Sequence, residues 1–151
     1  MELKETDPAP DFQLLDDEGT PIRLSDLRGQ RVVLYFYPRA DTPGCTVESC
    51  EFRDLMPRIE EKGARVLGIS PDTVKDVRKF RQKFGFPFHL LADADHTVAE
   101  AYGVWVEKSM FGKGYMGVGR TTFVIGADGA IERIYRQVTP EGHAETVLRE
   151  L

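Results

Sequence analysis

Val32-Val33-Leu34-Tyr35-Phe36-Tyr37 is a continuous apolar run rich in β-branched and aromatic residues, and such a run suits a strand buried on both faces. Pro38 ends it. The chain continues as Arg39-Ala40-Asp41-Thr42-Pro43-Gly44-Cys45-Thr46-Val47-Glu48-Ser49-Cys50, and a helix is predicted from about Pro43. Proline fits the first helical position, where its missing N–H costs nothing, and Thr42 fits the N-cap before it. Phe52, Leu55 and Met56 mark the apolar stripe of this helix, and Pro57 is expected to break or kink it.

Working toward the N-terminus, Ser25 reads as the N-cap of a brief helical turn ending at Gly29. Phe12 to Leu15 reads as a short strand, Asp17-Glu18-Gly19 as its turn, and Ile22 to Leu24 as its partner. Toward the C-terminus, Val66 to Ser70 is a second buried strand. Thr73 to Phe84 places Val74, Val77, Phe80 and Phe84 on one helical face, with the lysines and arginines between them read as a solvated face. Leu90 to Ala92 suits a short strand and Thr97 to Tyr102 a short helix. Thr121 to Ile125 and Ala130 to Tyr135 read as a hairpin joined by Gly126-Ala127-Asp128-Gly129, with Glu141 to Leu151 a closing helix. Strands alternating with helices and ending in a hairpin argue for an α/β fold with a mixed central sheet flanked by helices, expected as one domain over residues 1–151.

At 151 residues the chain can bury a sizeable core, and 41% hydrophobic with 30% charged residues is a globular balance. The net charge of −5 argues against a broad nucleic-acid-binding surface. The first residues are polar and of mixed charge, and no later segment is long and apolar enough to span a bilayer, so a soluble, cytoplasmic protein without a membrane partner is expected. In that reducing compartment two cysteines are poor candidates for a permanent bridge, and a redox-cycling role comes to the fore.

Cys45 falls in the first turn of the predicted helix, close to unpaired backbone N–H groups and the positive end of the helix dipole. That setting favours thiolate, and thiolate is the nucleophile. A free cysteine judged alone is more often a small buried hydrophobe; the Pro–Thr–Pro–Gly entry turn shifts the reading toward a reactive one. Counting 100° per residue, Cys50 lies away from the stripe of Phe52, Leu55 and Met56, and Cys45 lies near it. Packing explains Cys50 poorly, and a partnership with Cys45 is the simpler account.

Pro38-x-x-x-Thr42-x-x-Cys45 resembles the active-site signature of the peroxiredoxins. The second cysteine five positions on resembles the Q-type branch, named after the bacterioferritin comigratory protein. The resemblance continues through Gly68-Ile69-Ser70-Pro71-Asp72, Tyr102-Gly103-Val104-Trp105 and Arg120-Thr121-Thr122-Phe123, covering nearly the whole chain. It implies a thioredoxin-like fold and a thiol-dependent peroxidase acting on hydrogen peroxide and organic hydroperoxides in antioxidant defence. It further implies Cys45 as peroxidatic cysteine, Cys50 as resolving cysteine, and a disulfide between them recycled by thioredoxin or a similar dithiol reductant. Thr42 then matches the hydroxyl that contacts thiolate and peroxide, Pro38 the residue shielding the pocket, and Arg120 the guanidinium beside the thiolate. Arg120 and Thr42 are expected to donate hydrogen bonds to the charge that builds on the departing oxygen. A monomer is expected, because intrachain resolution needs no second subunit.

Residues five apart on a helix have Cα atoms roughly 8–9 Å apart, whereas a disulfide tolerates up to about 7 Å. The helix is therefore expected to unwind from about Cys45 to Phe52 when the two sulfurs bond. Gly112-Lys113-Gly114-Tyr115-Met116-Gly117 satisfies G-x-G-x-x-G without a strand–helix context and reads as a loop. His89, His96 and His143 are scattered and two cysteines do not make a zinc site, so no metal or cofactor is expected. Trp105 and the phenylalanines read as core or pocket wall. Two other readings stand beside the peroxidase. One is a thioredoxin-type disulfide reductase, which would need C-x-x-C rather than the four residues separating these cysteines; the other is a redox-sensing or chaperone-like module.

Overall fold

A computed structural model of the chain describes residues 2–151. The strand predicted at 32–37 is β3 (Arg31–Phe36), and it sits inside a seven-stranded sheet. The other members are β1 (Gln13–Asp16), β2 (Pro21–Arg23), β4 (Ala64–Ser70), β5 (Leu90–Ala92), β8 (Thr121–Ile125) and β9 (Ile131–Tyr135), in the order β2-β1-β5-β4-β3-β8-β9. The β3–β4 and β4–β5 pairs are parallel, and the β1–β2, β1–β5, β3–β8 and β8–β9 pairs antiparallel, so the sheet is mixed as expected.

β3 alternates strictly between two cores. Val33 and Tyr35, with Tyr37 just beyond the strand, join the cluster that covers α1 (Pro43–Glu61), α2 (Val74–Phe84) and α4 (His143–Glu150). Val32, Leu34 and Phe36 join the opposite cluster with Val98, Ala99 and Tyr102 around α3 (Thr97–Ala101). Both faces being dry is the reason the run has no polar alternation. The helix boundaries follow their caps: Thr73 accepts from the Asp76 N–H at the start of α2, and Gly85 closes that helix at φ 64°.

Several expectations change. Residues 105–118 form a second, two-stranded antiparallel sheet, β6 (Trp105–Met110) and β7 (Lys113–Val118), rather than a loop. Its turn residues Phe111 and Gly112 both have positive φ, the condition for a tight hairpin turn. Phe111 at its tip is 97% exposed and so is neither core nor pocket wall. Pro57 does not break α1, which continues to Glu61; it lies on the exposed side and removes one backbone bond without displacing buried groups. Ser25 is inside a 3₁₀ turn, Leu24–Leu27, rather than capping it, and its N–H donates to Asp11 Oδ1 at 2.9 Å. The basic face of α2 is not wholly solvated. Arg81 donates to Asp17 Oδ2 at 2.8 Å and Arg78 to the Asp17 carbonyl at 2.9 Å, pinning the helix to the turn after β1.

Tyr35 stands where the sheet meets α1. Its ring stacks on Phe52 at 4.9 Å between centroids, and its hydroxyl shares a 2.8 Å hydrogen bond with Ser49. The cross-strand neighbour of Tyr35 is Gly68. A Cβ there would lie 2.8 Å from Tyr35 Cζ and 2.9 Å from Leu90 Cδ2, closer than real contacts allow, so only glycine leaves the ring its place. Gly68→Ala is expected to lower folding stability by about 1–3 kcal/mol, as overpacking of a dense core does. Denaturant melts of the two proteins check this, and an unchanged midpoint would show that the Tyr35 ring has room to move.

Candidate active site

α1 begins as the residue types dictate. Thr42 is extended at φ −98° and ψ 158°, its carbonyl accepts the Thr46 N–H at 2.8 Å, and Pro43 occupies the first turn. Cys45 follows in that turn, fully buried. The Thr42 hydroxyl makes no capping bond; it donates to the Arg39 carbonyl at 2.9 Å. Its single proton is thereby committed, which corrects the expectation that Thr42 donates to a departing oxygen: as placed, Thr42 offers lone pairs. Pro38, half-buried, leaves the sheet directly after Tyr37, whose N–H closes on the Ile69 carbonyl at 3.0 Å.

Arg120 arrives from just before β8. Because β8 is the sheet neighbour of β3, with Phe36 paired to Thr121, the residue before β8 reaches the helix that follows β3. Its Nη2 donates to Cys45 Sγ at 3.3 Å and its Nη1 to Glu48 Oε1 at 2.8 Å. Gly44 eases this approach, since a Cβ there would lie 3.2 Å from Arg120 Nη2 and the guanidinium would have to give by a few tenths of an ångström. The guanidinium is held protonated by Cys45 and Glu48 against the opposing effect of burial. Cys45 and Arg120 are thus brought into direct contact, with Thr42 one turn away. Cys50 lies further along α1, half-buried against the main core rather than clear of it. Burial pushes the Cys50 thiol up, Arg53 opposes this, and Asp54 adds to it.

Glu48 was missed by the sequence reading. It is wholly buried, its Oε2 finds no partner, and burial raises its carboxyl to about 7 although Arg120 pulls it down. The signal was available: Glu48 lies three residues after Cys45 and four before Phe52, on the buried face of the helix. His143, set aside as scattered, is also buried. It bonds Thr122 Oγ1 at 2.8 Å, meets Phe52 edge-on at 5.9 Å, and is pushed down to about 4 by burial and by Arg120, so it stays neutral and props the Phe52 ring. Tyr35 and Tyr37, raised by burial, remain neutral phenols around the site.

One other polar group could hold a cation. Ligand atoms of Asp16, Asp17 and His89 lie within 4.8 Å of one another. Asp17 already takes Arg81 on one oxygen and the Leu90 N–H and His89 on the other, so an arginine fills the cation's place. Among the described residues no helix is long and apolar enough to cross a membrane.

A buried sulfur at a helix N-terminus with an arginine donor is suited to nucleophilic chemistry at a polar bond, and the comparisons name that chemistry. The family model described as AhpC/TSA matches residues 6–134. The chain belongs to the AhpC/TSA family of peroxiredoxins. It is 48% identical to a putative peroxiredoxin bcp of Coxiella burnetii over all of both chains, and 46% identical to peroxiredoxin Bcp of Escherichia coli K12, covering 99% of this chain and 96% of that one. A cysteine-to-serine mutant of Xylella fastidiosa PrxQ superimposes with a TM-score of 0.94 at 38% identity, over 99% of this chain and 96% of the other. Xanthomonas campestris bacterioferritin comigratory protein, solved in a study of its alkyl peroxide reduction activity, gives 0.88 at 38% identity, over 92% and 88%. This peroxiredoxin is therefore a thiol-dependent peroxidase with the thioredoxin-like fold. The disulfide-reductase and redox-sensor readings give way to it.

Glu48 gives the peroxiredoxin a titration in the working range. Its folded value lies above the ordinary 4.5, so its contribution to stability is complete below pH 4.5 and is lost as pH rises through about 7. Above that pH its carboxylate competes for Arg120 and repels the thiolate. Glu48→Gln keeps an acceptor for Arg120 without the charge. The ratio of variant to native rate with hydrogen peroxide is expected to rise across pH 7, measured as a pH series of second-order rate constants. A flat ratio from pH 6 to 8 would show that Glu48 does not titrate against the site.

Proposed function

We propose that Cys45 is the peroxidatic cysteine, Cys50 the resolving cysteine, and Arg120 the group that stabilises charge in the peroxide step. The observation that carries this reading is the Arg120 donor on Cys45 Sγ, in the first turn of the helix that also holds Cys50. The Cys45 thiolate attacks one oxygen of R–O–O–H; the O–O bond breaks, the sulfur becomes S–OH, and RO⁻ departs and takes up a proton. Arg120 faces the charge on sulfur at the start and on the departing oxygen later. Thr42 keeps lone pairs to accept the peroxide O–H, and Pro38 shields the pocket from water.

The sulfenic acid then meets the Cys50 thiol, forming the disulfide and releasing water. The raised Cys50 thiol supports this division of labour, because a protonated thiol is a poor competitor for peroxide. Thioredoxin or a similar dithiol protein returns both cysteines to thiols by exchange, completing the cycle. The cycle closes within one chain, which supports a monomer, and a pair that must be reduced every turn suits the cytoplasm. The 1–151 stretch works in this reading as one domain.

Single-turnover and steady-state assays separate the roles. Cys45→Ser is expected to abolish peroxide consumption. Cys50→Ser is expected to consume about one equivalent in a burst and then stall at the sulfenic acid or beyond, since nothing completes the disulfide. Normal thioredoxin-supported turnover by Cys50→Ser would remove Cys50 from the resolving role.

Resolution also requires movement. Both cysteines lie in an unbroken helix, where Cα atoms five residues apart stand roughly 8–9 Å apart, beyond the reach of a disulfide. The first turns must melt, and the Tyr35–Ser49 hydrogen bond lies in their path. Phe52, clamped by Tyr35 and His143, is where melting should stop. Amide exchange at residues 46–51 is expected to be slow in the reduced protein and fast in the oxidised one. An oxidised protein with a Cys45–Cys50 bond and equal protection there would contradict the mechanism.

A further inference from the structure

Beside Arg120 lies a cleft of about 390 Å³ lined by Val104, Val106, Lys108, Arg120, Arg136 and Glu2, among others; Cys45, fully buried, does not line it and is linked to it by the Arg120 guanidinium. A water's share of liquid volume is about 30 Å³, so hydrogen peroxide alone would leave this cleft mostly empty. Pockets of this size suit organic molecules. Its apolar wall, Val106, continues along the same face of the hairpin to Tyr115 and Met110, both exposed.

Lys108 is the unusual member. It is half-buried on β6, and among the described residues no carboxylate pairs with it. Its sequence neighbour Glu107 points to the opposite face by strand alternation, its carboxylate lying 3.1 Å from where a side chain at Gly114 would begin. The Lys108 stem runs over Gly117, with Cδ 3.5 Å from the position a Cβ there would take. Gly117 pairs with Val106, nearer the hairpin base than Lys108's own partner Tyr115. The ammonium is thus carried back toward the base, where Gly119 and Arg120 follow β7. Burial and Arg120 press its proton affinity down, and Cys45 pulls it up, which agrees with a position facing the reactive pair.

The other cations of the cleft are already engaged. Arg120 serves Cys45 and Glu48, and Arg136 donates to the Leu3 carbonyl and lies 3.5 Å from Glu2. We propose that Lys108 is a specificity-determining residue that binds an anionic group on the substrate, so that the cleft selects organic hydroperoxides carrying a carboxylate. The hydroperoxide end lies at Arg120, the cleft residue that touches Cys45 Sγ, the apolar part against Val104 and Val106, and the carboxylate on the Lys108 ammonium, with Glu2 held off by its pairing to Arg136. The reaction is the one already written, with the carboxylate unchanged by it. The proposal rests on the assignment of Cys45 and Arg120 as the reacting pair.

The test is a matched pair of substrates: a tertiary alkyl hydroperoxide with a terminal carboxylate, and its methyl ester. Single-turnover oxidation of the reduced, full-length protein is followed by stopped flow. The acid is expected to react about tenfold faster than the ester at low ionic strength, the size of effect that a partly desolvated charge pair supplies, with the gap narrowing as salt is added. Lys108→Met is expected to bring the acid-to-ester ratio to about one, whatever the change in absolute rates, and Lys108→Arg to keep most of it. A ratio near one in the native protein, or an undiminished ratio in Lys108→Met, overturns the proposal. Hydrogen peroxide is run beside the pair: failure to oxidise Cys45 with it overturns the assignment of the reacting residues themselves and is thereby distinguishable from a failure at Lys108.

Discussion

A single guanidinium joins the parts of this molecule that do chemistry. Arg120 reaches from the start of β8 to the first turn of α1 and divides its donors between Cys45 and Glu48. The two segments are far apart in the chain and meet because β3 and β8 are sheet neighbours. Everything that fixes this register also fixes the sulfur's environment: the dry two-faced β3, the closed approach of Gly68 to Tyr35, and the missing side chain at Gly44. Placing a buried carboxylate on the same arginine is costly, and burial makes Glu48 a weak acid. The Glu48 hydrogen bond on Nη1 nonetheless holds the guanidinium with its Nη2 aimed at Cys45.

The helix that creates the reactive sulfur also opposes the next step. Its N–H groups and dipole favour a thiolate only while the first turn is intact, whereas the disulfide needs that turn undone. The packing is graded accordingly. Cys45, Glu48 and Ser49 are buried but held by polar contacts, from Arg120 to Cys45 and Glu48 and between Tyr35 and Ser49, whereas Phe52 is held between two rings and Met56 and Ile59 pack in the apolar core. Local opening in the first turns therefore leaves the main core of the fold in place.

The central sheet was legible in the residues because its signals are strong and local. Val32 to Tyr37 has no polar break, Pro43 and Thr42 announce the start of α1, and Thr73 and Gly85 bracket α2. The hairpin at 105–118 was not, because most of both strands is exposed and its three glycines weaken any alternating pattern. Pro57 misled because a helix tolerates proline where the lost bond lies on the wet side. The entry turn shifts Cys45 toward a reactive reading, but its peroxidatic role, like Arg120, stood out only through the family resemblance, since nothing local distinguishes that arginine from the others. Glu48 sat on the buried stripe by simple counting, but a glutamate among apolar residues on a helix is usually an exception at the boundary, and the arginine that explains it lies 72 residues away.

The two sheets are separate. Among the described residues no ladder joins β6 and β7 to the seven central strands; the hairpin is paired to itself and anchored at its base by Val104 and Val118. Evolution can therefore treat them as different modules. Cys45, Glu48 and Arg120 are locked into one interdependent cluster where an exchange disturbs a neighbour. The hairpin can exchange, lengthen or recolour its outer face with little consequence for folding. A lineage built on this plan is free to diverge in what it accepts while inheriting unchanged the means by which it reacts.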